Sequence, residues 1–352
     1  MSKLKTVGHP LSPLPAELPP ELRGPDWVQA NPHRIERELQ AALAMPSGGW
    51  YVLDASRSIG QEPRRFWVEG RELVAWRAGN ELRVAPNACP HMGASLAEGP
   101  VRDGRLVCPW HGLELGADKH GAWCPLTAHD DGVLCWVHLQ DTDDGKPEAD
   151  PPTPTPIVSP RPSRFIDSVM KMEADCDPRD VIANRLDPWH GVYYHPHTFK
   201  RLKVIGLEGG RLLVRVVYGM TDRLGIEVDA TFHCPDPRTI TMTIVGGEGT
   251  GSVVETHATP LRPGRSAIIE ATLATSDRPG FQRAIKAAGI IRPFILKSQR
   301  KLWVEDAAYA ERRYALRTGV VPAAGRALAR PDGAAGSSPR SAPPGERSDE
   351  GH

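Results

Sequence analysis

The second half of the chain alternates apolar and polar residues in three segments, 226–233, 240–244 and 267–273. Because successive side chains of a β-strand point to opposite faces, a period of two predicts strands with one apolar face. We therefore expect an antiparallel sheet with one face buried and the other solvated or covered by a partner. A helical stretch is predicted before these strands, and a long helical region at about 279–317 is predicted to close the domain.

The first half of the chain begins with a short helix and continues with β-structure. Asn31 and Pro32 are a good helix N-cap and first-turn pair, and Ile35 and Leu39 lie on one apolar stripe of that helix. From 48 to about 139, short β-type runs are separated by Gly, Asn and Asp turns. This pattern predicts a small antiparallel β domain of about 90 residues.

Proline content marks the expected domain boundaries. Pro is concentrated between 147 and 162, which is typical of a stiff linker. The segment 331–352 consists mostly of Gly, Ala, Pro and Ser, which is typical of disorder. The expected organisation is a Pro-rich arm and short helix at 1–47, the β domain at 48–142, the linker at 143–163, a second domain at 164–318 and a disordered tail at 319–352.

The charge balance narrows the range of partners. The chain has 43 basic and 43 acidic residues, whereas binding to nucleic acid or to an anionic membrane needs a basic surplus. No apolar run long enough for a membrane helix and no signal-peptide stretch occurs, so we expect a cytoplasmic protein without a membrane span. In that compartment the six cysteines are expected to act as ligands or core thiols, with Cys124 and Cys135 in the core.

Two short Cys/His motifs lie within the β domain. The first is Cys89-Pro-His91, and the second, further along the chain, is Cys108-Pro-Trp-His111. Two loops that each carry a thiolate and an imidazole can hold a [2Fe–2S] cluster, with both Cys on one iron and both His on the other. The alternatives are a zinc site, whose usual halves pair Cys with Cys and His with His, and four unrelated residues.

A second group of candidate ligands follows the linker, in Asp187-Pro-Trp-His190-Gly-Val-Tyr-Tyr-His195. We expect a helix through Asn184, which shares a face with Asp187, and a kink or fresh start at Pro188. His190 and His195 can then converge. Two imidazoles and one carboxylate form the facial triad that holds Fe(II) and leaves positions open for O2. The alternative is a pair of surface histidines near a helix end.

For two of the three iron ligands, the sequence offers a rival residue close by. His197 competes with His195, but the spacing favours His195. Asp306 continues an apolar stripe of the C-terminal helix, whereas Glu305 aligns with a polar face. Because a carboxylate on an apolar face is costly unless it is paired or bound to metal, Asp306 is predicted as the third ligand. An ordinary solvated Glu-Asp pair is the alternative.

These motifs resemble a known family. The segment from 48 to 139 resembles the Rieske iron–sulfur domain, with the motif spacing of its oxygenase branch, and the segment 184–198, NRLDPWHGVYYHPHT, resembles the iron-binding helix of Rieske non-haem iron oxygenase α subunits. The resemblance implies an α+β fold, in which an N-terminal antiparallel β Rieske domain precedes a helix-grip (START-like) antiparallel sheet with a long C-terminal helix. Trp110 departs from the family's usual Tyr, and a catalytic domain spanning only 164–318 is short for the family.

The resemblance also implies roles for the candidate ligands. The residues that would bind the Rieske cluster are Cys89, His91, Cys108 and His111. Those that would bind a mononuclear Fe(II) are His190, His195 and Asp306. Asp187 would act in catalysis by linking a cluster histidine of one subunit to an iron histidine of its neighbour in a homotrimer, where a carboxylate also fixes the tautomer of each ring.

By the same resemblance, the chain is expected to use O2 and externally supplied electrons to hydroxylate or oxidatively demethylate a hydrophobic substrate. Isoprenoids and carotenoids are candidates, because the pattern is similar to bacterial Rieske proteins encoded near isoprenoid genes; dihydroxylation and desaturation stay open. The chain has no Gly-x-Gly-x-x-Gly motif and no second iron–sulfur Cys set, so a ferredoxin, an NAD(P)H-dependent reductase or both are expected as donors. The alternatives are an electron carrier and a redox-sensing lipid-binding protein, and both predict no mononuclear iron.

Overall fold

A computed structural model of the chain describes residues 12–13, 27–139, 153–219 and 224–320. Most of the Pro-rich arm, the first half of the predicted linker and the predicted tail from 321 onward lie outside the described residues. In the part of the chain that is described, no helix is long and apolar enough to cross a membrane.

The first domain consists of small antiparallel sheets and follows a two-residue strand and one helix, β1 (Ser12–Pro13) and α1 (Pro32–Leu43). Its strands are β2 (Trp50–Ala55), β3 (Arg64–Val68), β4 (Arg71–Ala78), β5 (Glu81–Pro86), β6 (Val101–Arg102), β7 (Arg105–Val107), β8 (Glu114–Leu115), β9 (Ala128–Asp130) and β10 (Leu134–His138). They form three sheets, in the orders β2-β10-β9, β3-β4-β5 and β6-β7-β8. Because β2 pairs with β10, the first and last strands of the domain lie side by side.

The second domain is one antiparallel sheet with helices on one face. Its elements are β11 (Ile166–Ala174), α2 (Pro178–Arg185), α3 (His190–Tyr194), β12 (Phe199–Glu208), β13 (Arg211–Gly219), β14 (Leu224–Asp236), β15 (Thr239–Gly247), β16 (Val253–Arg262), β17 (Arg265–Ala274), α4 (Phe281–Lys286) and α5 (Ala288–Thr318). The strand order is β11-β17-β16-β15-β14-β13-β12, and β1 pairs with β14. The α+β fold expected from the sequence is confirmed.

Strand β11 corrects the prediction that a helical stretch opens the second domain. The strand pairs along its whole length with β17, and α2 begins only after it. Its apolar alternation is obscured because two polar side chains are buried in it. Asp167 is paired with Arg292 at 2.8 Å, and Ser168 donates a 2.9 Å hydrogen bond to Gln299. Paired polar groups can occupy core positions, and a pattern of apolar residues alone does not detect them.

Strand β17 is buried on both faces, so the expected single buried face holds for only part of the sheet. Its apolar set packs against the first domain, in a cluster that contains Trp50 and Trp136. The members of that set are Ala267, Ile269, Ala271 and Leu273. On the opposite face Ile268 packs against Trp303 of α5. The first domain is therefore the partner that covers this end of the sheet.

Helix α1 begins and packs as its sequence indicates. The Asn31 side chain accepts a 3.0 Å hydrogen bond from the backbone N–H of Arg34, and Pro32 occupies the first turn. Ile35 and Leu39 are buried, and they join the core between α2 and strands β12 to β15. The helix therefore packs against α2, the helix that leads to the candidate metal ligands of α3.

A buried charge cluster fastens the first domain to the sheet. The Arg161 guanidinium donates two hydrogen bonds of 2.6 Å to Glu255 of β16 and lies 3.0 Å from Asp131 of the first domain. The Arg161 side chain is 14% exposed and the Glu255 side chain 1%. Burial raises the pKa of Glu255, but the hydrogen bonds from Arg161 outweigh it and the pKa is lowered. The carboxylate therefore remains ionised in the domain interface.

Candidate metal centres

Two tight loops present the Cys/His motifs of the first domain. In each loop a glycine N–H bonds back to the cysteine carbonyl oxygen, Gly93 to Cys89 at 2.8 Å and Gly112 to Cys108 at 3.0 Å. Both glycines have positive φ, +77° and +73°, a conformation that L side chains rarely adopt. These bonds close each loop between its cysteine and the glycine that follows its histidine.

The two loops face each other. Cys89 and Cys108 are buried, whereas His91 and His111 are exposed, with ring centroids 4.8 Å apart. The structure therefore brings all four predicted cluster ligands together, thiols inside and imidazoles outside. Trp110, next to the second histidine, is 60% exposed, so its indole lies at the surface of the loop rather than over the thiols.

Backbone amides shift the pKa of the second thiol in the direction that favours metal binding. Burial raises the pKa of Cys89. Burial also tends to raise the pKa of Cys108. Hydrogen bonds from the backbone N–H groups of His111 and Trp110 outweigh this effect and lower the pKa. Since the thiolate is the metal ligand, these amides favour the binding form.

The remaining cysteines are not part of this centre. Cys135 is buried in the first-domain core, as the sequence predicts. Cys124 is exposed, which corrects its assignment to the core. It follows Trp123, which fills the core position in its place. All six cysteines are free thiols.

Helices α2 and α3 position the second ligand set. Helix α2 ends at Arg185, and a new helix begins at His190, after the break predicted at Pro188. His190 is the first residue of α3 and His195 is its C-cap. A short helix therefore separates the two histidines, and both rings turn toward α5.

Three side chains converge on one oxygen of Asp306. Its Oδ1 lies 2.9 Å from Nε2 of His190 and 2.9 Å from Nε2 of His195. Asn184 donates a 3.0 Å hydrogen bond to the same oxygen. The candidate ligand atoms of the two histidines and Asp306 lie within 4.8 Å of one another. Of the two carboxylates that the sequence offers, Asp306 is the one that lies beside the Nε2 atoms of both histidines.

The other ring nitrogens have their own partners. Nδ1 of His195 lies 2.5 Å from Oε2 of Glu305, and Nδ1 of His190 contacts the backbone carbonyl oxygen of Asp187. When Nδ1 donates to such an oxygen, Nε2 keeps its lone pair for a metal. Glu305 therefore lies on the Nδ1 side of His195, whereas Asp306 lies on the Nε2 side. His197 lies outside the group, and its Nε2 is 3.8 Å from Glu305.

The acidic and imidazole groups of this site shift the pKa values of one another. Burial raises the pKa of Asp306, but hydrogen bonds from His190 and His195 outweigh it and hold the pKa well below its usual range. Burial lowers the pKa of His195, but the carboxylates of Asp306 and Glu305 outweigh it and the pKa is raised. A divalent cation among these atoms would take the place of the protons that the rings bind.

The backbone N–H of His190 lies against the carboxylate of Asp187, but within the described part of the chain no hydrogen bond joins that carboxylate to either imidazole. Its Oδ2 accepts a 3.3 Å hydrogen bond from the Tyr309 hydroxyl, and Oδ1 is buried without a hydrogen-bond partner. Burial raises the pKa of Asp187. The sequence analysis did not identify Tyr309; its position one helical turn after Asp306 is the signal that could have found it.

A cavity of about 230 Å³ opens beside the three candidate ligands, between the sheet and α5. Its apolar lining residues include Phe199, Leu202, Val216, Phe232, Met242, Val254, Ile295 and Leu302. The apolar sets of β14 and β15 contribute Phe232 and Met242 to this wall. Strand β17 instead presents Glu270 and Thr272 to the cavity, because its apolar set packs against the first domain.

Two family comparisons cover most of the described chain. Residues 49–137 match the Rieske [2Fe–2S] domain family. Residues 147–321 match a family described as a domain of unknown function (DUF5914). The first domain is thus a Rieske [2Fe–2S] domain, and the second match assigns no activity to the sheet and helices.

Curated relatives match parts of the chain. The vanillate O-demethylase oxygenase subunit of Pseudomonas sp. (strain HR199 / DSM 7063) is 41% identical over 75 residues, 21% of each chain. The oxygenase component of 3-ketosteroid-9-α-monooxygenase from Rhodococcus rhodochrous is 28% identical over 195 residues, 47% of each chain. The chain therefore spans between about a fifth and a half of the length of these relatives.

Solved structures share the fold over most of the chain. Dicamba monooxygenase bound to dicamba superposes with a TM-score of 0.56 at 17% identity, over 79% of this chain and 91% of that one. The oxygenase of a carbazole 1,9a-dioxygenase oxygenase–ferredoxin complex gives 0.53 at 13% identity, over 82% and 88%. The resemblance to Rieske non-haem iron oxygenase α subunits is confirmed by the Rieske domain, the relatives and the fold.

Proposed function

We propose that this chain, which carries a Rieske [2Fe–2S] domain in front of the fold of Rieske oxygenase α subunits, is an oxygenase that acts on a hydrophobic substrate with O2 and externally supplied electrons. One observation carries the proposal. In the same chain as the Rieske domain, His190, His195 and Asp306 converge at the wall of a largely apolar cavity.

The residues of the first centre fit a Rieske cluster. Two buried thiols and two exposed imidazoles face each other across the loops. In the proposed site Cys89 and Cys108 hold one iron, and His91 and His111 hold the other. The backbone amides that lower the pKa of Cys108 stabilise the negative charge on its sulfur.

The residues of the second centre fit Fe(II). A buried carboxylate oxygen with two imidazole nitrogens at 2.9 Å is the donor set of the two-histidine, one-carboxylate triad. When bound, the iron supplies open positions at which O2 is activated. Glu305 holds the Nδ1 proton of His195, Asn184 fixes the Asp306 carboxylate, and the apolar walls exclude water from the reacting substrate.

Electron supply and assembly follow from the same proposal. We propose a separate ferredoxin, an NAD(P)H-dependent reductase or both as donors; a solved complex joins the carbazole 1,9a-dioxygenase oxygenase to a ferredoxin. We also propose a homotrimer in which Asp187 receives an exposed cluster histidine of a neighbouring copy. The buried, unpartnered Oδ1 of Asp187 supports this role. Six free thiols suit a cytoplasmic location.

The proposed chemistry is hydroxylation or oxidative demethylation. The names of the relatives support this choice, since they include a vanillate O-demethylase and a 3-ketosteroid monooxygenase. Isoprenoids remain among the proposed substrates. The cavity of about 230 Å³ limits the size of the part of the substrate that can reach the iron ligands. The boundaries 48–142 and 164–318 are proposed as the cluster and catalytic domains, joined by the linker.

The test is the content of iron and acid-labile sulfide in anaerobically purified protein. We expect three irons and two sulfides per chain. The double variant His190→Ala/His195→Ala should fall to two irons and keep the Rieske EPR signal. The matched control His197→Ala should keep all three, because His197 lies outside the ligand group. Two irons in every protein, even after Fe(II) is added, would overturn the oxygenase and favour an electron carrier or a redox sensor.

A further inference from the structure

Arg185 places a guanidinium in the wall of the cavity that holds the candidate iron ligands. Its Nε is buried without a hydrogen-bond partner. In the part of the chain that the structure describes, this guanidinium makes no hydrogen bond and no ion pair. Arg161, by contrast, is also partly buried but is paired with Glu255 at 2.6 Å.

Two aromatic rings lie beside the Arg185 side chain but accept none of its hydrogen bonds. Its Cζ lies 5.8 Å from the ring of Phe232 and 5.8 Å from that of Trp303. Two aromatic faces attract a cation, but they accept none of the N–H bonds that a guanidinium can donate. The side chain is therefore oriented while its donors stay available.

The nearby carboxyl group is already engaged. Oε2 of Glu270 accepts a 2.7 Å hydrogen bond from the Trp303 indole. Burial raises the pKa of Glu270, although the charge of Arg185 acts against that shift, and no hydrogen bond joins the two side chains in the described part of the chain. A second lining group, the Tyr218 hydroxyl, is directed to the sulfur of Met242, at 3.8 Å.

We propose that Arg185 binds a carboxylate of the substrate, so that, among the hydrophobic substrates proposed above, the class that fits this cavity is a small apolar carboxylic acid. This proposal rests on the proposed function only in taking the cavity as the substrate site. A planar guanidinium binds a carboxylate through two parallel hydrogen bonds. The apolar walls take the rest of the molecule, and a cavity of about 230 Å³ suits one ring with short substituents. The fixed carboxylate end then sets which carbon faces the iron ligands.

The test compares a carboxylate with its neutral amide of the same shape. Binding of 4-isopropylbenzoate and of 4-isopropylbenzamide is measured by anaerobic calorimetry on the full chain. We expect the carboxylate to bind at least tenfold more tightly. In Arg185→Met that preference should vanish. In Arg185→Lys it should be retained in part, because the positive charge remains but the two parallel N–H donors of the guanidinium are lost.

Arg179→Met is the matched control. Arg179 lies on the same helix α2, and its Nε is also buried without a partner, but it lies outside this cavity. We expect this variant to keep the full preference for the carboxylate. The Rieske absorbance of each variant reports whether the fold is intact.

Three outcomes would overturn the proposal: equal binding of acid and amide, binding of neither probe at millimolar concentration, and a preference that survives in Arg185→Met. The last would place the carboxylate on the metal ligands instead of on Arg185. Because the measurement needs no turnover and is made with and without added Fe(II), a chain that failed as an oxygenase would still give a clear answer on Arg185.

Discussion

Oε2 of Glu305 lies 2.5 Å from Nδ1 of His195, on the side of the ring opposite to the candidate metal. The next residue of the same helix, Asp306, lies 2.9 Å from Nε2. Two consecutive carboxylates therefore reach both nitrogens of one imidazole. Since ligating histidines usually donate their second N–H to such a group, this geometry supports the proposed roles of Asp306 as ligand and of Glu305 as acceptor for the ring N–H.

We expect the loss of Glu305 to weaken metal binding. Glu305→Ala removes the acceptor for Nδ1–H of His195, and such changes cost about 10- to 100-fold in metal affinity. Glu305→Gln keeps an acceptor oxygen and should cost much less. The measurement is the Kd of Fe(II) or Co(II) by anaerobic titration. Glu311→Ala, on the same helix but bonded to the backbone of Asp175, should leave the Kd unchanged; an equal loss there would refute the role of Glu305.

We expect Gly99→Ala to disturb the cluster loops. A Cβ on Gly99 would lie 2.0 Å from the carbonyl oxygen of Val107, the residue before Cys108. Such an overlap displaces the backbone at a cost of about 1–3 kcal/mol and should lower the cluster content, read from the Rieske absorbance and the sulfide per chain. Gly60→Ala is the control, because nothing lies within 4 Å of its Cβ position. A full cluster in Gly99→Ala would contradict this expectation.

We expect the buried ion pair between the domains to matter far more than an exposed one. Arg161→Met leaves Glu255 buried with only the His257 ring, at 3.4 Å, beside it, and breaking a buried ion pair costs about 3–5 kcal/mol of unfolding free energy. The exposed pair Arg215–Asp229 has similar geometry, at 2.8 Å. Arg215→Met should therefore cost under about 1 kcal/mol. Urea unfolding of both variants is the measurement, and similar losses would rule out a fastening role for Arg161.

We expect Glu270 to make the fold less stable as pH rises. Burial raises its pKa in the folded chain, so the folded state resists ionisation that the unfolded chain undergoes above its ordinary pKa of 4.5. Glu270 therefore contributes nothing to the free energy of unfolding below that pH and lowers it above that pH. Glu270→Gln, which keeps an acceptor for Trp303, should therefore be more stable than the native chain at neutral pH. The gain should disappear in urea unfolding under acidic conditions, below the ordinary pKa; a gain that is constant with pH would point to packing instead.

Much of the chemistry could be predicted from local sequence. The four cluster ligands all lie between Cys89 and His111, on loops whose turns are fixed by neighbouring glycines and backbone bonds. His190 and His195 are separated by one short helix, so their spacing alone brings them together. The position of Asp306 on an apolar stripe was also informative, because a carboxylate on such a stripe needs a partner.

The tertiary structure decided what lies around these residues. Asp306 is far from His190 in sequence but meets it in the fold, and that contact depends on how α5 crosses the sheet. The same packing gives Glu305 its place behind His195 and leaves the guanidinium of Arg185 without a hydrogen-bond partner among the described residues. Strand β17 shows the physical reason most clearly. Its alternation defines two faces, but only the arrival of the first domain on one of them decides which face lines the cavity, because burial depends on every element that packs there.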